Sequence, residues 1–167
     1  MRRTAVAGAL LAGCLLAGGA ACAGNTPSGL DTSATISEAE ANRQAAERIT
    51  DAARELGPDA ELVERPNQDV ACTGLGNGGP QQVTIGKVYQ VNGLDPGRGQ
   101  EYADQLRAYW TGKGYQELDG SATYPLVRVE HPQDRFKLSF SVRNDVAELS
   151  AVISCIWPDG TPPPTTG

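Results

Sequence analysis

The sequence predicts an α+β fold, with two helices packed on one face of a mostly antiparallel sheet and a C-terminal strand meander. Three observations lead to this. Apolar residues recur at helical spacing in two stretches, about 37–56 and 98–113. Elsewhere they alternate with polar residues at the period of a strand. The strand-like runs after the second helix are joined by short turn-forming segments such as Asp119-Gly120 and Asn144-Asp145, which suit antiparallel neighbours.

Taken in order, the first element opens on a capping box, Ser37-x-x-Glu40, and repeats Ala45, Ile49, Ala52, Ala53 and Leu56 at helical spacing until Gly57-Pro58 stops it. The apolar stripe is narrow and mostly alanine, so the helix should lie flat and close on a sheet. Its Glu38, Glu40, Glu47, Asp51 and Glu55 interleave with Arg43, Arg48 and Arg54, the pattern of a solvated helix face. Leu62-Val63 and Val70-Ala71-Cys72 are short strands on either side of Pro66-Asn67. Gln82 to Val91 is the clearest strand, with Val83, Ile85, Tyr89 and Val91 alternating against Thr84 and Gln90, and Asn92-Gly93 ends it.

The second helix, from about Arg98 to Lys113, shows Tyr102, Leu106, Tyr109 and Trp110 on one face. Gly114 is its C-terminal cap and Tyr115 the hydrophobic contact beyond. The meander then runs from Tyr115 to Leu118 and from Tyr124 to Glu130, and turns through Pro132-Gln133-Asp134. Phe136, Leu138, Phe140 and Val142 alternate next, and Asn144-Asp145 leads into Leu149, Ala151, Ile153, Cys155 and Trp157. The Pro-rich end, Thr161 to Gly167, cannot continue a sheet.

Composition bounds the function. The 167 residues are 40% hydrophobic and only 5% aromatic, enough for one modest domain with additional segments. A net charge of −6 argues against nucleic acid as a partner and against electrostatic docking on anionic lipid.

The N-terminus has the layout of an export signal: a positive Met1-Arg2-Arg3, an apolar stretch from about Val6 to Leu16, and the small residues Ala17 to Ala21. Leu11-Ala12-Gly13-Cys14 and Gly19-Ala20-Ala21-Cys22 both resemble the bacterial lipobox. That resemblance implies a diacylglyceryl group on the cysteine thiol and cleavage just before it. Cys22 is favoured, because cleavage before Cys14 would expose Leu15-Leu16-Ala17 and leave an unpaired third thiol. Cys14 stays as the alternative site. Ala21-Cys22-Ala23 also reads as an ordinary cleavage site that would release a secreted protein. Two or more acyl chains, at ~0.8 kcal/mol per buried CH2, would hold the chain stably at the outer face of the plasma membrane.

Cys72 and Cys155 then form an even pair, and in an oxidising compartment such a pair reads as a disulfide. The expected organisation is a signal peptide over 1–21, a flexible tether over 22–34 with a reach of about 20 Å, a single α+β domain over 35–158, and a disordered Pro-rich tail over 159–167.

Few motifs suggest chemistry. Gly74-Leu75-Gly76-Asn77-Gly78-Gly79 satisfies G-x-G-x-x-G, but Pro80 and a strand follow where a dinucleotide site needs a helix. His131, the only histidine, precedes Pro132 and reads as a surface turn residue. One histidine without a Cys-x-x-Cys does not make a zinc site. No catalytic, cofactor or metal residues are therefore assigned. Tyr102, Tyr109, Trp110 and Tyr115 are core at their spacing, or else line a groove for a small ligand.

Several features together carry a family resemblance. They are the lipobox, the helix motif Gln44-Ala45-Ala46-Glu47-Arg48-Ile49, the early Val70-Ala71-Cys72, a helix ending in Lys113-Gly114-Tyr115, the late Ser154-Cys155-Ile156 and the Pro-rich tail. This layout resembles small actinobacterial lipoproteins of the LppA type, and the 11 Arg against 3 Lys suit a GC-rich genome. The resemblance implies an envelope location and lipidation, and it carries over no catalytic residues. The expected function is a non-enzymatic, membrane-anchored envelope lipoprotein that meets an envelope protein partner. The alternatives are an extracytoplasmic binding module for a small amphiphile and, behind it, an envelope hydrolase.

Overall fold

The computed structural model describes residues 34–66, 70–72, 82–120 and 123–163. Cys14, Cys22, the glycine-rich 74–79 segment, all but the last residue of the 22–34 tether, and 164–167 lie outside the described residues. Two helices, α1 (Glu38–Leu56) and α2 (Gly99–Gly112), pack against a seven-stranded sheet. Its strands are β1 (Glu61–Arg65), β2 (Val70–Ala71), β3 (Val83–Asn92), β4 (Gln116–Glu117), β5 (Leu126–Glu130), β6 (Lys137–Arg143) and β7 (Val146–Ile156). The order is β1-β3-β7-β6-β5-β4, with β2 also on β3, and every pair is antiparallel.

Helix α1 begins as its capping box predicts, with the Ser37 hydroxyl accepting from the Glu40 amide at 3.3 Å. The Glu38 amide, which has no partner inside the helix, donates to the Pro158 carbonyl at 2.9 Å. The buried face is Ala41, Ala45, Ile49, Ala52, Ala53 and Leu56. Four alanines let the helix approach β3 and β7 closely, while Ile49 and Leu56 supply the larger gain, ~1.5–3 kcal/mol each relative to exposure. The return from α1 to β1 presses on the end of β3. Gly93 has φ +81°, and a Cβ there would lie 1.9 Å from the Asp59 carbonyl oxygen, so no other residue fits.

Helix α2 packs on β5 and β6 through Tyr102, Ala103, Leu106 and Trp110. It ends in a Schellman motif: Tyr115 N–H donates to the Trp110 carbonyl and Gly114 N–H to that of Thr111, both at 3.0 Å, with Gly114 at φ +89°. The β6–β7 hairpin turns on Asn144 and Asp145 at φ 50° and 61°, the left-handed pair that a type I′ turn requires. Alternation puts Val127, Val129, Leu138, Phe140, Val142, Ala147, Leu149 and Ala151 on the helix-covered face. The opposite face is polar, and the Ser139 and Ser150 hydroxyls meet across strands at 2.8 Å.

Two expectations need correcting. Cys155 does not continue the buried alternation of β7. Between the pairs Ile85↔Ile153 and Val83↔Ile156, one residue of β3, Thr84, faces two of β7, Ser154 and Cys155. This bulge puts Cys155 at φ 58° and exposes it, while Ile156 turns inward. The outward turn lets Cys155 reach Cys72, to which it is disulfide-bonded with a Cα–Cα distance of 5.6 Å. The folded body also runs past 158. Gly160 N–H donates to Trp157, and its carbonyl accepts from Thr35 N–H, both at 2.8 Å. Trp157 N–H donates to the Thr35 hydroxyl, also at 2.8 Å. Asp159 and Gly160 therefore belong to a strap that holds the chain where it enters α1.

Candidate functional site

A cleft of about 280 Å³ lies between α1, α2 and the β5–β6 turn. It is built around Arg48, which the helical charge pattern assigned to solvent. Arg43 and Arg54 do behave that way, pairing with Glu40, Glu47 and Asp51 on the exposed surface. Arg48 lies on the same helix but turns inward, and its side chain is 20% exposed. Its guanidinium lies 4.1 Å from the ring centroid of Phe136. It donates to Asp134 at 2.6 and 3.3 Å and to the Tyr115 hydroxyl at 2.8 Å.

The turn shapes the other half. His131 N–H donates to the Phe136 carbonyl, Arg135 N–H donates to that of His131, and Arg135 sits at φ 64°. This geometry brings Asp134 back over the turn, where it accepts from the Phe136 amide at 3.2 Å. Burial alone would raise the Asp134 carboxyl. The hydrogen bonds from Arg48 and the Phe136 amide, together with the Arg48 charge, outweigh burial and hold it below the usual carboxylate value. Burial pushes the Tyr115 hydroxyl up, against the opposing charge of Arg48.

His131 is no surface turn residue. Its ring stands edge-on to Tyr115 at 4.9 Å between centroids, and its Nδ1 is 3.2 Å from Asp134 Oδ1. That atom is buried and has no aligned hydrogen-bond partner among the described residues, because the carboxylate lies off the ring N–H direction. His131 and Tyr115 thus line the cleft, and the Asp134 carboxylate is joined to the Tyr115 hydroxyl through Arg48. The carboxylate, however, is occupied by Arg48 and a backbone amide, and the hydroxyl by Arg48. The arrangement works as a clamp that ties α1 to the β5–β6 turn and to Tyr115, just beyond the cap of α2. Among the described residues, no group of three or more His, Cys, Asp or Glu is placed to hold a metal ion.

The four aromatics do not form one groove. Trp110 is 1% exposed and Tyr102 is buried, both within the hydrophobic core. Tyr102 lies at the other end of α2, under the guanidinium of Arg98. Tyr109, Trp110 and Tyr115 line the cleft, beside Lys113 and Asp51, so three of the four expected groove residues meet there and Tyr102 does not. Arg48 and Asp134 were missed because they meet only in the fold, 86 positions apart.

A second, larger depression of about 530 Å³ lies between the C-terminal half of α1 and strand β1, lined by Ala53, Arg54, Gly57, Pro58, Ala60 and Leu62. Among the described residues no helix is long and apolar enough to cross a membrane. No protein-family model matches the chain, and no curated protein matches it significantly.

Proposed function

We propose that this chain is a non-enzymatic lipoprotein of the cell envelope. A lipid on Cys22 holds it at the outer face of the plasma membrane, where it presents a small disulfide-braced domain to another envelope protein. The observation that supports this reading is the Cys72–Cys155 disulfide, since structural disulfides persist in oxidising, extracytoplasmic compartments. The LppA-type layout of the sequence supports the same location. A tether running from Cys22 enters the fold at Thr35, where the Trp157–Gly160 strap grips it. A pull on the anchor is then borne partly by the chain following the central strand β7.

Fractionation tests the anchor. Cys22→Ser moves the protein from the membrane to the soluble fraction, whereas Cys14→Ser leaves it in place. The opposite pattern assigns the lipid to Cys14. Release by neither substitution refutes the lipid anchor. Photo-crosslinking in intact cells identifies the protein partner, and a chain that captures no envelope protein from any exposed position contradicts the presenting role.

A further inference from the structure

Strand β1 forms the first edge of the sheet. Strand β1 hydrogen-bonds to β3 on one side, and among the described residues no strand covers its other side. Natural edges of this kind are usually blunted or covered. Here apolar surface flanks the edge on both faces. Val63, at 47% exposure, is the exposed large hydrophobic residue among the described ones. The groove holding Ala53, Pro58, Ala60 and Leu62 lies on the other face.

The charges on the edge choose the occupant. Glu61, Val63 and Arg65 alternate onto the open face of the sheet. Arg65 is exceptional among the described basic side chains. The others each have an acidic, hydrogen-bonding or aromatic partner, and Arg65 has none among the described residues. Glu61 likewise makes no ion pair there. If two antiparallel copies of β1 meet on a two-fold axis at Val63, Glu61 of each lies opposite Arg65 of the other and the two valines face each other. Moving the axis to Glu64 would set two glutamates opposite one another, and moving it to Leu62 would set Glu61 against Val63 and carry Arg65 past the start of the partner's β1. We infer that β1 is a self-complementary edge through which two copies join their sheets, with one register selected by Glu61, Val63 and Arg65. Such an interface is small, and tethering both copies to one surface would raise its occupancy through effective concentration.

This inference does not depend on the lipid. The test uses the full chain in detergent, with sedimentation measured from micromolar to millimolar concentration. The expected result is a reversible monomer–dimer equilibrium. Glu61→Arg and Arg65→Glu each weaken it by about tenfold, because the two-fold axis turns each substitution into two repulsions, and the double substitution restores it. Val63→Cys gives an oxidised, covalently linked dimer, whereas Ser141→Cys, on the same face but away from the edge, does not. All these positions are at the surface, and an unchanged thermal transition confirms that each variant is folded. A monomer at every concentration overturns the proposal. So does a dimer that ignores the charge exchanges, which would point to another surface or another kind of partner for this edge.

Discussion

The two halves of the sheet share β7 but close in opposite ways. Under α2, strands β4, β5, β6 and β7 follow one another as a meander, and each pairs with its neighbour in sequence. Under α1, β3 must find β7 across the whole of α2 and the meander, and Thr35 must find Gly160. The packing differs too. The α2 half is filled by Trp110, Phe140, Val127 and Val129, and the α1 half largely by alanines with Ile49, Leu56, Ile85 and Val91. The disulfide lies in the second kind of half, joining residues 83 positions apart. The covalent bond thus stands where chain closure is costliest and bulky apolar contact is thinnest.

Five variants probe that contrast. Replacing both Cys72 and Cys155 by Ser should have the largest effect, a loss of about 4–5 kcal/mol in denaturant unfolding if the chain-entropy account holds. Hydrogen exchange in that variant should accelerate first in β1 to β3, while β5 and β6 keep more of their protection. Phe140→Ala attacks the other half at its packing and should cost about 3–5 kcal/mol, against about 2–4 for Ile49→Ala under α1.

Arg48→Met breaks the clamp between the halves and should cost about 1–2 kcal/mol, because Asp134 and Tyr115 lose their shared donor. It should also change the acid limb of stability. The Asp134 carboxyl lies below its unfolded value, so its contribution is complete above the unfolded pKa of ~3.9 and is lost as pH falls towards the lower folded value. Unfolding measured from pH 5 downward should therefore fall more steeply in the wild type than in Arg48→Met. The smallest effect, about 1 kcal/mol, is expected for Gly114→Ala, which strains the Schellman cap at φ +89° and leaves the sheet untouched.

Much of this fold was legible because its determinants are local. The Ser37 cap, the alanine stripe of α1, the Gly114 terminus, the Asn144-Asp145 turn and the alternation of β6 depend on neighbours a few positions away. What was not legible depends on tertiary approach. Arg48 has the same sequence surroundings as Arg43 and Arg54, and only the return of the β5–β6 turn makes it a buried donor. His131 looked like a surface turn residue because nothing near it in sequence announces Tyr115 against its ring. The bulge at Cys155 arises where the long-range pairing of β3 with β7 meets the disulfide, and a period of two cannot announce it. Tyr102, Tyr109, Trp110 and Tyr115 had the spacing of either a core or a groove; Tyr102 belongs to the core alone, while the buried Trp110 also forms part of the cleft wall with Tyr109 and Tyr115.

In the proposed function, Cys22 anchors an exported domain and the Cys72–Cys155 pair braces it. Intact and peptide mass spectrometry of the protein from the membrane fraction tests both parts in one sample. The account predicts a mature chain beginning at a diacylglyceryl-modified Cys22, with Cys72 and Cys155 recovered as one disulfide-linked peptide. An unmodified chain beginning at Gly24, or free thiols at Cys72 and Cys155, would contradict it.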